Sequence, residues 1–237
     1  MEDQFQRTRM LIGEAGVERL REASVLIFGV GGVGGYVVEA LARAGVGKID
    51  IVDNDTVSLT NINRQIIALH STLGMKKVDV MRDRMLDINP QASVTAYDVF
   101  LSAGTIGQFD FKRYSYIVDA IDNVTGKLLL AHMCEGEGVP LISCMGAGNK
   151  LDPGVFVVTD IYKTSDCPLA RVMRRELKKL GVQRLKTVYS RETPSEVEAP
   201  EETGGQRKQP PGSMSPVPGA AGLVAAGEVI RDLLKDG

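Results

Sequence analysis

Apolar and polar positions along this chain of 237 residues fall into two rhythms. Short apolar runs alternate with longer stretches in which apolar side chains recur every three or four positions, the signatures of buried strands and amphipathic helices. A helix is predicted over residues 7–22, where Met10, Leu11, Val17 and Leu20 recur among charges; Gly13 and Gly16 weaken it. Ser24–Phe28 reads as a strand. It runs into the glycine turn Gly29–Gly35, then a helix over Val37–Arg43 that closes at Gly45 and Gly47. A strand over Lys48–Asp53 completes a strand–helix–strand unit, whose right-handed crossover builds a parallel sheet. The alternation continues with a helix over Met75–Ile88, strands over Ser93–Val99 and Tyr116–Asp119, a helix over Lys127–Glu137 and a strand over Pro140–Cys144. Five strands alternating with helices between residues 24 and 145 predict an α/β fold: a doubly wound, Rossmann-like, mainly parallel sheet.

After Gly148 the rhythm changes. Val155–Thr159 reads as a strand without a following crossover, Asp166–Leu180 as a basic helix, and Leu185–Ser190 as another strand. Residues 193–212 hold Pro, Glu and Gly with almost no large apolar side chain, so a mobile loop is expected there. Helical periodicity returns over Ala220–Leu234. The predicted organisation is a nucleotide-binding domain over 1–150 and a C-terminal extension over 151–237 that completes the fold.

Composition narrows the class. Apolar residues at 43% and charged residues at 24% are globular values. The longest apolar run, Val217–Gly227, contains a proline and is too short to span a bilayer. The N-terminus lacks the basic-then-apolar order of a signal peptide. Cys134, Cys144 and Cys167 show no C-x-x-C spacing, which argues against a zinc site and fits a reducing cytoplasm. A cytoplasmic protein without a membrane partner is expected.

Glycine, at 26 residues, has a functional address. Gly29, Gly31, Gly32 and Gly34 follow a strand and open a helix. Without Cβ atoms the backbone turns sharply, and the helix N-terminus offers free N–H groups to phosphate. Asp53 ends the next strand, where an acid accepts hydrogen bonds from ribose hydroxyls. A dinucleotide dehydrogenase would begin the same way. The next stretch of chain departs from that pattern: Asp55, then Asn61, Asn63, Arg64 and Gln65, then Lys77. Arg64 can fork onto phosphate oxygens and Lys77 can supply a point charge, needs of a nucleoside triphosphate rather than of hydride transfer. Asp122 and Asn123 follow the fourth strand on the ligand-binding edge. Asp122 is placed to hold Mg²⁺ against a triphosphate, or either residue caps the next helix.

Together these residues resemble the ubiquitin-activating-enzyme superfamily, whose bacterial members adenylate carboxylates. The resemblance covers residues 24–150 and implies ATP, Mg²⁺, an acyl-adenylate, pyrophosphate release and a homodimer. By that likeness Arg64 and Lys77 contact phosphates and Asp122 the metal, and these three are the catalytic candidates. An arginine near Arg7 or Arg9 reaches the partner's active site in some members. Branches that activate sulfur-carrier proteins usually carry two zinc-binding C-x-x-C pairs, missing here. The stretch from Asp166 to Lys179, then Val188-Tyr-Ser190 and Gly212–Pro216, looks instead like the tRNA threonylcarbamoyladenosine dehydratase branch. That branch implies tRNA as the substrate and, in some members, a cysteine desulfurase or sulfur-acceptor partner.

Local charge agrees. Between Arg171 and Lys186 lie seven basic residues and one acid, in a chain of formal net charge −2. Arg171, Arg174, Arg175 and Lys178 share one helical face, and with Lys179 they are the tRNA-binding candidates. The competing reading is an ordinary solvated helix face. Three alternatives to the dehydratase stand: a sulfur-carrier adenylyltransferase, an NAD-dependent oxidoreductase and a nucleotide sensor.

Overall fold

A computed structural model describes residues 3–196 and 211–235. Most of the expected mobile loop over 193–212 therefore lies outside the described residues. Among those described, seven strands form one sheet: β1 (Ser24–Phe28), β2 (Lys48–Val52), β3 (Ser93–Tyr97), β4 (Tyr116–Asp119), β5 (Leu141–Cys144), β6 (Phe156–Asp160) and β7 (Lys186–Ser190). Their spatial order is β3-β2-β1-β4-β5-β7-β6. Every pairing is parallel except β6 with β7. The strand without a crossover is thus the antiparallel edge. Strand β7 slots between β5 and β6, so the sheet crosses the expected boundary at residue 150.

The helices are α1 (Gln6–Glu22), α2 (Gly34–Ala44), α3 (Lys77–Ile88), α4 (Val124–Glu137), α5 (Pro168–Lys179) and α6 (Pro216–Leu234). Alternation along β1 explains the layers. Val25 and Ile27 join Leu41 of α2, Met81 of α3 and Ala225 of α6 in one core. Leu26 and Phe28 point the other way, into a second core with Phe109, Phe111 and Leu130 of α4. A third cluster seats Ala170, Met173 and Leu177 of α5 on Ile161 and Tyr189.

Several boundaries shift by a few residues, and α1, α6 and α4 depart from expectation for local reasons. Helix α1 is interrupted at Gly13, whose φ is +74°. Helix α6 starts at Pro216 rather than Ala220, because the first turn needs no proline N–H. Helix α4 starts at Val124, three residues early, because Asn123 caps it.

The order of the sheet reverses beside β1, where the chain moves outward to β2 and β3 and later returns to β4. Register brings Phe28 level with Val52 on one side and with Asp119 on the other. The turns leaving all three strands therefore open at one point, the usual place for a ligand in such sheets.

Candidate functional site

A groove of about 640 Å³ lies at that point. Gly29, at φ +88°, opens the turn leaving β1; a Cβ there would lie 2.8 Å from the Ala120 carbonyl oxygen. Gly34 does not line the groove. It starts α2 beneath the turn, where a Cβ would come within 1.8 Å of the Gly29 oxygen. The glycines thus let the turn press against the β4 exit while Gly31 and Gly32 face the groove. Asp53 accepts the Val30 N–H and the Asp55 N–H, both at 2.9 Å, on its two oxygens. The acid expected to meet ribose also ties the turn to the end of β2.

The polar cluster from Asn61 to Lys77 arrives from the segment between β2 and α3. Arg64, half-buried, donates to the Thr60 carbonyl at 2.8 Å and to Asn63 Oδ1 at 2.9 Å. Lys77, the first residue of α3, is only 5% exposed and donates to Asp55 Oδ2 at 2.7 Å. Gln65 is buried, and its Oε1 has no hydrogen-bond partner among the described residues. Asp55, Arg64, Gln65 and Lys77 all line the groove with Asp53 and Asn61. Asn61 does so while accepting the Ser58 N–H, a structural bond that orders its own loop. Asn63 falls outside the groove: it is exposed and donates to the Ser213 carbonyl at 2.9 Å. Asn61, Arg64 and Gln65 face the groove from the turns around it, while Asn63 points outward.

Asp122 and Asn123 complete the lining from the β4 exit. Asn123 accepts the Gly126 N–H at 2.7 Å and caps α4, leaving Asp122 exposed at the lip. Among the described residues no three His, Cys, Asp or Glu side chains gather as a metal-holding group.

Beneath the groove sits a network that periodicity does not reveal. Lys127 is wholly buried, with its Nζ 3.1 Å from both Asp119 oxygens and 2.6 Å from the Cys144 carbonyl. Ser143 Oγ donates to the same carboxylate at 2.5 Å, and Asp119 Oδ1 accepts the Ile121 N–H at 3.2 Å. One ion pair therefore braces the chain leaving β4 and the chain leaving β5, the two segments that flank the groove. Its only sequence signal is a lysine three residues into an otherwise apolar helix start. Cys144 lines the floor; burial, with Asp119 opposing Lys127, pushes its thiol up to about 12, so it stays protonated.

The basic helix divides. Arg171, Arg175, Lys178 and Lys179 are exposed on α5. Arg174 is half-buried and donates to the Thr164 carbonyl at 3.0 Å and to Thr164 Oγ1. With Ala170, Met173 and Leu177 turned inward, position 174 falls on the flank, where its guanidinium closes a corner of the fold. Glu176 takes up charge from Arg175 at 2.7 Å and from Lys179 at 2.8 Å. The free cationic face is thus smaller than the residue count implies.

Residues 5–237 match the ThiF family. The chain is 43% identical to the tRNA threonylcarbamoyladenosine dehydratase of Bacillus subtilis, over 98% of this chain and 95% of that protein. It is 41% identical to the Escherichia coli protein of the same name, over 73% of this chain and 65% of that protein. The crystal structure of E. coli tRNA N6-threonylcarbamoyladenosine dehydratase in complex with ATP superimposes with a TM-score of 0.87 and 34% identity. That match covers 97% of this chain and 93% of the other.

Proposed function

The chain belongs to the ThiF family, and on that premise we propose that it is an ATP-dependent tRNA threonylcarbamoyladenosine dehydratase. The observation that carries the reading is convergence: the glycine turn, Asp53, Arg64, Lys77 and Asp122 come from separate stretches of chain and line one groove. The turn and the α2 N-terminus receive phosphate, and the Asp53 oxygens, each accepting one backbone N–H, have a further lone pair for ribose hydroxyls. Arg64 and Lys77 bring two cations to the phosphates, where charge develops as pyrophosphate leaves. Asp122 offers the single carboxylate with which a Mg²⁺ shared with a nucleotide is commonly held, and that ion would neutralise phosphate charge.

The reaction then needs little else from the protein. The carboxylate of the modified nucleoside displaces pyrophosphate from the α-phosphorus, forming an acyl-adenylate. The carbamoyl group of the same modification attacks the activated carbonyl, closes a ring and expels AMP. With an internal nucleophile no catalytic cysteine is required, and positioning supplies the rate. Exposed Arg171, Arg175, Lys178 and Lys179 offer a surface to tRNA phosphates. Met10 and Leu11 of α1, 84% and 85% exposed, support a homodimer that covers them. A cytoplasmic setting follows from the substrate, and among the described residues no helix is long and apolar enough to cross a membrane. A sulfur-acceptor protein partner belongs to the same reading only through the family likeness.

The test is incubation with ATP, Mg²⁺ and tRNA carrying threonylcarbamoyladenosine. The modified nucleoside should lose one water as AMP forms. No mass change, with pyrophosphate exchange driven instead by a ubiquitin-like carrier protein, would sink the reading.

A further inference from the structure

One residue outside the nucleotide contacts draws three separate parts of the chain together at the groove's mouth. Asn149 follows β5 and is one of two non-glycine residues at positive φ among those described, at +59°. Its Oδ1 accepts the Gly212 N–H at 2.6 Å, and its own N–H donates to the Gly212 carbonyl at 2.8 Å. Its carbonyl accepts the Ser195 N–H at 2.7 Å. Asn149 thereby holds the chain that leaves β7 and the chain that enters α6 in one clasp.

The clasp has a location that matters. Gly148, Pro211 and Ser213 line the groove together with Leu169 at the start of α5. Packing there is close: a Cβ on Gly148 would lie 2.6 Å from Pro211 Cβ. Asn63 secures the next residue by its bond to the Ser213 carbonyl. The same lining reaches α5 through Leu169, whose side chain lies beside Gly146, and α5 carries the exposed cations.

We propose that Asn149 is a positioning residue for the tRNA substrate: it fixes the 211–213 wall along which the modified nucleoside reaches the nucleotide. The inference rests on the dehydratase reading. Asn is suited to both tasks, because its amide caps locally and tolerates the left-handed backbone. A glycine keeps the backbone and loses the side-chain acceptor. An aspartate keeps both.

The experiment compares wild type, Asn149→Gly and Asn149→Asp in the full-length protein. Amide hydrogen exchange at Gly212, direct binding of the modified tRNA, and steady-state kinetics against tRNA and against ATP are the readouts. The glycine variant should exchange the Gly212 amide at least tenfold faster and raise KM for tRNA about tenfold. KM for ATP and kcat at saturating tRNA should stay within twofold. Asp should restore slow exchange. An unchanged tRNA KM in the glycine variant, or an equal rise in KM for ATP, would overturn the proposal. Should wild type bind the tRNA without dehydrating it, the dehydratase reading fails instead. The role of Asn149 is then judged by tRNA affinity, which the glycine variant must lower.

Discussion

Lys77 Nζ lies 2.7 Å from Asp55 Oδ2, with the lysine side chain 6% exposed and the aspartate 63% exposed. The pair is lopsided: a cation buried at the groove wall leans on an anion that water can solvate. A nucleotide phosphate entering the groove would compete for that cation without stripping it of a partner. Lys77→Met should cut AMP formation by at least a hundredfold, and Asp55→Asn should alter it far less. Rapid-quench assay of AMP with both variants decides this, and equal losses would contradict it. Arg64→Ala should also abolish AMP formation while circular dichroism stays unchanged.

Removing Lys127 should cost fold rather than chemistry. Lys127→Met leaves the Asp119 carboxylate buried without its counter-ion, a change worth about 3–5 kcal/mol. Urea titration should show that loss. Adding Asp119→Leu in the same chain should recover part of it, because the orphaned charge goes too.

The sheet end opposite the groove carries a pH signature. Burial works against ionisation of Asp232, but hydrogen bonds from Lys186, Lys235 and Tyr116 outweigh it and hold the carboxyl at about 2, below its usual 3.8. A depressed carboxyl stabilises the fold above its unfolded pKa and loses that contribution as pH falls through the folded one. The stability gap between wild type and Asp232→Asn should therefore be full above pH 4 and shrink toward pH 2. Chemical denaturation at several pH values measures it, and a constant gap would remove the pair from the account.

Thiol chemistry should be silent in the native state. Burial pushes the Cys134 and Cys144 thiols up to about 12. At pH 8 neither should react with iodoacetamide on the timescale of minutes, while both react after unfolding. Peptide mass mapping of the alkylated protein provides the check.

The α5 cations separate into two kinds. Arg171→Glu with Arg175→Glu should weaken tRNA binding and reduce its salt dependence while sparing ATP binding. Arg174→Ala should lower melting temperature first, since its guanidinium closes onto Thr164. Fluorescence anisotropy with labelled tRNA and thermal melts distinguish the two, and a reversed pattern would return the helix to an ordinary solvated face.

Local chemistry and hydrophobic spacing were enough to place, to within a few residues, the seven strands and six α-helices seen among the described residues, the doubly wound class and the glycine turn. Each of those depends on neighbours close in sequence: a period of two or 3.6, a missing Cβ, a capping side chain. That Asp53, Arg64, Gln65, Lys77 and Asp122 would gather at one groove was legible too, because each follows a strand end on the edge where doubly wound sheets bind ligands. Only the tertiary structure decided the rest. It sent Asn63 out of the groove, tied Arg174 into the fold, and buried Lys127 against Asp119 and the Cys144 carbonyl. It also brought Ser195 and Gly212 onto Asn149. Those outcomes depend on which strands end side by side, and hydrogen bonds between segments distant in the chain leave no period for a sequence to display.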